Sequence, residues 1–256
     1  MSTPNTNANP ILASKVPEIT LIFWIIKIAA TTLGETAGDV VSMSMDLGYL
    51  AGTGIFLAIF LLAVSFQIKA KTFHLVIYWA TIIATTTVGT TLADFADRSL
   101  GIGYAGGTLL LSVLLLASLG LWHRTLGSVS FNNINSPATE AFYWLTIMFS
   151  QTLGTALGDW TVELPGLGYA GAALIYSSIL ALITVAYYRT QISTVALFWA
   201  AFIFTRPLGA VLGDFLDKPL AAGGMELDRY VASGVLLGFI AACLLIFPQR
   251  ASQQAH

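Results

Sequence analysis

The sequence predicts an all-α integral membrane protein of eight transmembrane helices, built as four parallel two-helix repeats. Three observations carry this. Of 256 residues, 56% are hydrophobic and only 9% are charged, where a soluble domain carries roughly 25% charged residues. Eight apolar stretches reach the ~20 residues that a bilayer crossing needs: 19–42, 49–68, 74–96, 104–123, 140–161, 168–188, 194–216 and 229–247. One motif also occurs four times, as FWIIKIAATTLGETAGD (Phe23 to Asp39), YWATIIATTTVGTTLAD (Tyr78 to Asp94), YWLTIMFSQTLGTALGD (Tyr143 to Asp159) and FWAAFIFTRPLGAVLGD (Phe198 to Asp214). A fixed internal period dictates architecture before any local propensity does.

In each copy a glycine follows the tryptophan by 10 residues and an aspartate follows it by 15. Trp24, Trp79, Trp144 and Trp199 are spaced by 55, 65 and 55 residues, so the first half maps onto the second with an offset of 120. The repeats cover 17–70, 71–126, 138–190 and 191–247, a single membrane domain over 17–247. Each contributes an odd-numbered helix carrying the motif, a short loop and an even-numbered helix. The even helices open alike, at Gly48 (GYLAG), Gly103 (GYAGG) and Gly168 (GYAGA). The fourth hairpin carries a six-residue insertion in AAGGMELDR, and the polar loop SVSFNNINSP joins the halves. The polar ends, 1–16 and 248–256, are expected to be disordered tails.

Orientation follows from the basic residues of the loops. Lys15, Lys69, Lys71, Arg124, Arg189 and Arg250 fall on one side; Arg98, Lys218 and Arg229 fall on the other, with Asp46, Asp97, Glu163, Asp217, Glu226 and Asp228. Both termini are therefore expected in the cytoplasm. A two-helix repeat keeps its direction through the membrane, so the copies are related by an axis along the membrane normal. The expected arrangement is a pseudo-fourfold ring or two pseudo-twofold halves.

At 100° per residue, the tryptophan and the positions 7, 11 and 14 after it share one face of the odd helix. In copy one these are Trp24, Thr31, Glu35 and Gly38; in copy four, Trp199, Arg206, Ala210 and Gly213. A polar or small face turns inward in lipid. The pairs Gly34/Gly38, Gly89/Ala93, Gly154/Gly158 and Gly209/Gly213 have the spacing that lets helices approach closely, and packing is their expected role. The tryptophans suit an interfacial belt or packing, with substrate contact as the alternative. Asp39, Asp94, Asp159 and Asp214 lie ~22 Å along the helix from the tryptophans. They form either solvated helix ends or a ring of carboxylates, as in cation pathways.

Three ionisable residues break the fourfold pattern inside the spans: Lys27 and Glu35 in copy one, Arg206 in copy four. Charge at that depth is costly and usually functional. In a closed ring copies one and four are neighbours, and the sequence predicts a Glu35–Arg206 ion pair. Glu35 and Asp39 are one turn apart on one helix, so their carboxylates can converge as hard-oxygen metal ligands. Pro207 is expected to kink its helix beside Arg206.

Other classes are disfavoured. A net charge of −2 gives no case for nucleic acid. The lone Cys243 cannot form an internal disulfide, and His74, His123 and His256 do not cluster. No nucleotide-binding loop, nucleophile elbow or HExxH motif is present, so neither enzyme activity nor a cofactor is expected.

The four W…G…D copies, each on a two-helix unit, resemble an uncharacterised family of bacterial membrane proteins made of four tandem repeats with a characteristic tryptophan. The likeness covers about 18–247 and implies a bacterial inner-membrane protein. GETAGD, from Gly34 to Asp39, resembles the Glu-x-Gly-Asp-(Lys/Arg) motif of manganese/calcium–proton exchangers. It differs in having two residues between Glu35 and Gly38 and Val40 in the basic position. The functional expectation is an inner-membrane cation transporter, proton coupling included, for a hard divalent ion such as manganese. Its path would run past Glu35, the four aspartates, Lys27 and Arg206. The alternatives are a carrier of a small organic solute and a scaffold without substrate. Lipid and the transported species are the expected partners, and a homo-oligomer stays open.

Overall fold

The computed structural model describes residues 14–130, 134 and 136–252. Eight long helices follow one another among them: α1 Leu21–Asp39, α2 Gly48–Lys69, α3 Leu75–Asp94, α4 Gly103–Leu126, α5 Pro137–Glu163, α6 Gly168–Arg189, α7 Thr194–Asp217 and α8 Arg229–Ile246. Seven helical segments are long and apolar enough to cross a membrane; α5 is not among them. The chain is a multi-pass membrane protein of four repeated units.

Local chemistry sets the helix ends. Thr20 caps α1 by accepting from Phe23 N, and Ser136 forms a capping box with Thr139 ahead of Pro137 at the start of α5. Such caps satisfy donors that a helix leaves free. Helices α2, α4 and α6 begin on Gly48, Gly103 and Gly168, with φ of 75°, 72° and 56°. The tight return from odd to even helix needs this left-handed backbone, which a side chain resists. It explains the recurrent Gly-Tyr. Beyond Asp39 and Asp94 the helix widens into a π turn, at Val40–Ser44 and Phe95–Ser99.

The odd helices form the inside. Each packs on the odd helix before and after it, and α7 closes on α1. Each even helix packs chiefly on the next repeat's odd helix: α2 on α3, α4 on α5, α6 on α7 and α8 on α1. Burial separates the layers. The apolar windows of α1, α3 and α7 are 67%, 67% and 61% buried, against 11%, 33%, 11% and 17% for α2, α4, α6 and α8. The outer helices present Leu62, Leu109, Leu116, Leu182 and Leu245 outward, as lipid contact requires.

The glycines set the inner spacing. A Cβ on Gly34 would collide with Thr86, on Gly89 with Gln151, on Gly154 with Arg206 and on Gly209 with Thr31. Each side chain lies 7 residues after the tryptophan of the next repeat, so every odd helix seats the same knob from its neighbour. One turn on, Gly38 takes Thr90, Gly158 takes Ala210 and Gly213 takes Glu35. Close backbone approach of this kind substitutes for the hydrophobic drive that lipid does not supply. Thr86 Oγ1 also donates to Ala30 O at 3.2 Å, and Thr31 Oγ1 to Thr205 O at 3.4 Å. α7 continues through Pro207 as one helix, with Pro207 packed over Gly154 and Gly158.

The tryptophan end is closed by aromatic rings. Phe23 meets Trp79, Tyr78 meets Trp144, Tyr143 meets Trp199 and Phe198 meets Trp24, with centroids 5.5, 5.8, 6.2 and 6.0 Å apart. The residue before each tryptophan thus touches the next repeat's indole, and the cycle closes. Trp79, Trp144 and Trp199 are buried and Trp24 is partly so; they pack inward. The chain ends meet beneath them. Ser252 N donates to Val16 O and Glu18 N to Arg250 O, both at 2.9 Å or less. Ser14, Lys15 and Val16 are buried, and Lys15 pairs with the buried Glu140 at 2.5 Å. Residues 14–16 and 249–252, grouped with the tails on sequence grounds, thus belong to the folded body; 1–13 and 253–256 lie outside the described residues.

Candidate functional site

At the other end of the odd helices, the motif aspartates converge. Asp39 ends α1, Asp94 ends α3, Asp159 lies in the last two turns of α5 and Asp214 in the last turn of α7. None stands in bulk solvent: they are 1%, 2%, 6% and 5% exposed. Glu35, one turn deeper, joins them. Carboxylate oxygens of Glu35, Asp39 and Asp94 lie within 4.8 Å of one another, as do those of Glu35, Asp159 and Asp214, and of Asp39, Asp214 and Asp217. The first two trios bring Glu35 and all four motif aspartates into one cage. The expectation of converging carboxylates, rather than solvated helix ends, describes this geometry.

Beneath the cage lies the Arg206 guanidinium, fully buried. Its Nη2 donates to Glu35 Oε2 at 2.9 Å, to Thr90 Oγ1 at 2.6 Å and to Thr155 Oγ1 at 2.5 Å. Glu35, Thr90 and Thr155 are the same motif position in copies one, two and three; copy four has Ala210 there. Arg206 rises from its own helix to fill the space that Ala210 leaves, and bonds all three equivalents. Thr90 Oγ1 also lies 3.2 Å from Glu35 Oε2. The predicted Glu35–Arg206 pair is present in the structure as part of this network.

Lys27, two turns further from the cage on α1, is fully buried and stays outside it. Its Nζ lies 3.9 Å from the centroid of Phe202 and has no hydrogen-bond partner. The Gln151 amide, also fully buried, bonds through neither its oxygen nor its nitrogen. Unpartnered buried polar atoms of this kind call for water or a ligand.

Two cations that sequence assigned to loops complete the cage. Lys218 Nζ lies 2.5 Å from Asp39 Oδ2, 2.9 Å from Asp214 Oδ1 and 3.7 Å from Asp217 Oδ1. Arg98 Nε lies 3.1 Å from Asp94 Oδ1, and its Nη2 lies 3.3 Å from Asp159 Oδ2. Arg98 also donates to the hydroxyls of Tyr49 at 2.9 Å and Tyr104 at 3.1 Å, two tyrosines of the Gly-Tyr openings. Burial works against the Lys218 charge, but Asp214, Asp39 and Asp217 outweigh it and raise its pKa above the ordinary lysine value. Arg229 donates to Asp217 at 2.6 Å and lies 3.8 Å from Asp39. The fourth-hairpin insertion places it there: Met225 N and Leu227 N bond back to Phe215 O and Leu216 O. The available signal was spacing, since Arg98 and Lys218 each follow a motif aspartate by four residues, within reach on a helix.

The cage therefore sets five carboxylates against Arg98, Lys218 and Arg206. With all groups ionised, two negative charges are left over. Its oxygens are hard ligands, of the kind that bind Mg²⁺, Ca²⁺ or Mn²⁺. Between the cage and the aromatic closure the odd helices bury Ile82, Ile147 and Phe202, each three residues after its tryptophan. Two grooves of about 550 and 500 Å³ lie instead on the outer side, between α1, α6 and α7 and between α1, α7 and α8.

No curated protein and no solved structure matches the chain. A family model described as Repeat of Unknown Function (DUF347) matches four times in tandem, at 22–73, 77–128, 142–193 and 197–248. Each match takes in one motif helix and the even helix after it. The chain belongs to this DUF347 repeat family.

Proposed function

We propose that the protein is a cation transporter of the bacterial inner membrane, for a hard divalent ion such as manganese, with proton coupling. The observation that carries this is the cage: five buried carboxylates from four helices, outnumbering their internal counter-ions by two. Ionised, the two unmatched carboxylates are expensive in so buried a place and match one divalent cation. In this proposal all eight helices cross the membrane, α5 included, because its place among the odd helices is equivalent to that of α1, α3 and α7. The ring is pseudo-fourfold and built of two pseudo-twofold halves. Both termini are cytoplasmic, so the aspartates face the periplasm. In this reading the structure is an occluded form, shut by the aromatic cycle on one side and by Arg98 and Lys218 on the other.

The test is the elemental content of cells expressing the protein against cells expressing Asp39→Asn, over a panel of metals. A change in one metal that the variant loses is the expected outcome. No change in any metal would sink the proposal. A second reading, carriage of a small anionic solute, draws on the unpartnered donors Lys27 Nζ, Gln151 Nε2 and Arg206 Nε. Solute binding that survives substitution of the aspartates but is lost in Arg206→Ala would favour it.

A further inference from the structure

Arg98 and Lys218 occupy the same place in the two halves, 120 residues apart. Each sits one helical turn past its own motif aspartate and also reaches the aspartate of a neighbouring repeat, Asp159 for Arg98 and Asp39 for Lys218. Their surroundings differ. Lys218 lies within reach of three carboxylates, its side chain is 14% exposed, and its carbonyl is tied down by Glu226 N at 2.9 Å. Arg98 is 32% exposed and its remaining partners are two neutral tyrosine hydroxyls.

The neighbouring carboxylates differ in the same sense. Asp217 is bound by Arg229. Its counterpart Asp97, 120 residues earlier, is 5% exposed, lies against Gly107 of α4, and has no hydrogen-bond partner at either oxygen. A buried carboxylate without donors is costly, and a cation is the ligand that would satisfy it. It stands outside the cage, on the side held by the more exposed of the two cations.

We propose that Arg98 is a displaceable internal cation. A hard divalent ion takes its place at Asp94 and Asp159, with Asp97 as the first carboxylate it meets, while Lys218 remains as the fixed counter-ion. Release of Arg98 leaves the five ionised cage carboxylates facing only Arg206 and Lys218, an excess of three negative charges that draws the ion inward; the ion balances two and the coupled proton the third. The inference rests on the cation reading of the cage.

The experiment is Mn²⁺ binding to the purified full-length protein, measured by calorimetry for wild type, Arg98→Gln, Arg98→Lys, Lys218→Gln and Asp97→Asn. Removing one positive charge a few ångströms from a divalent ion should tighten binding by about tenfold or more. Arg98→Gln shows that gain, Arg98→Lys a smaller one, and Lys218→Gln less than Arg98→Gln. Asp97→Asn weakens binding while its thermal midpoint holds or rises, because a buried charge has been removed; a merely structural aspartate would not separate the two readouts. Unchanged or weaker binding in a folded Arg98→Gln protein overturns the displacement. Tight binding by that variant without metal accumulation in wild-type cells keeps the displacement and rejects transport. Accumulation with unaltered Arg98→Gln affinity does the reverse, and no binding by any variant rejects both.

Discussion

Arg206 Nη2 and Glu35 Oε2 are 2.9 Å apart, and the two residues come from the first and last repeats, 171 positions apart in sequence. Both are buried, so their contact is a direct measure of ring closure. Removing one partner of a buried pair costs about 3–5 kcal/mol. Arg206→Ala should reach that range, since it also strands Glu35 and empties the contact with Gly154. Glu35→Gln should cost less, because Thr90 and Thr155 still accept from the guanidinium. Thermal unfolding in detergent checks the order, which would be reversed if Glu35 were the better connected of the two.

Gly34 faces Thr86 so closely that an added Cβ would overlap the threonine side chain. Gly34→Ala should destabilise by about 1–3 kcal/mol, as overpacking does. Combining it with Thr86→Gly should recover part of that loss, because the obstructing Oγ1 and Cβ are both removed. Additive losses in the double variant would mean that the two helices do not meet at this point.

The tryptophans are not equal despite their shared register. Trp79 is fully buried and donates through Nε1 to Gln249 Oε1 at 3.0 Å, whereas Trp24 is partly buried at the groove between α1, α6 and α7. Trp79→Ala should cost about 3–5 kcal/mol and Trp24→Ala clearly less. Equal losses would show that the indoles act as an interfacial belt.

Lys15 and Glu140 form a buried pair across the chain end and α5. Lys15→Met should destabilise by about 3–5 kcal/mol by leaving Glu140 uncompensated, and adding Glu140→Leu should restore most of it. The comparison is again a melting curve. A neutral effect of Lys15→Met would place residues 14–16 outside the folded body.

Lys218 has a raised pKa. A group of this kind contributes stability that is fully present below its unfolded value, 10.5, and is lost only as pH rises through the higher folded value. The stability difference between wild type and Lys218→Gln should therefore stay level from pH 7 to pH 10. A decline inside that window would mean that the carboxylates do not hold its proton.

Much of the site was legible because helical periodicity reports faces. Successive i, i+4 relations put Thr31, Glu35 and Asp39 on one side of α1, and four copies at one register made convergence of the aspartates a reasonable expectation. Arg206 opposite Glu35 followed from ring closure alone. Arg98 and Lys218 count as loop charges by position, and their four-residue spacing from Asp94 and Asp214 is the one local sign that they turn back. The π turn Phe95–Ser99 carries Arg98, and the fold-back of 219–228 bonds to the Lys218 carbonyl.

By itself the sequence determined the membrane class, the fourfold repeat, the inner face of each odd helix and the small residues that let those helices touch. These are local properties, set by composition and by spacing along one chain. Only the tertiary structure decided that each even helix packs on the following repeat, that the tryptophans turn inward against the next repeat's aromatic, that residues 14–18 meet 250–252, and that two loop cations sit on the carboxylates. Each of those is a contact between residues far apart in sequence. Periodicity states which face seeks a partner; closing the four helices on one another selects which partner it meets.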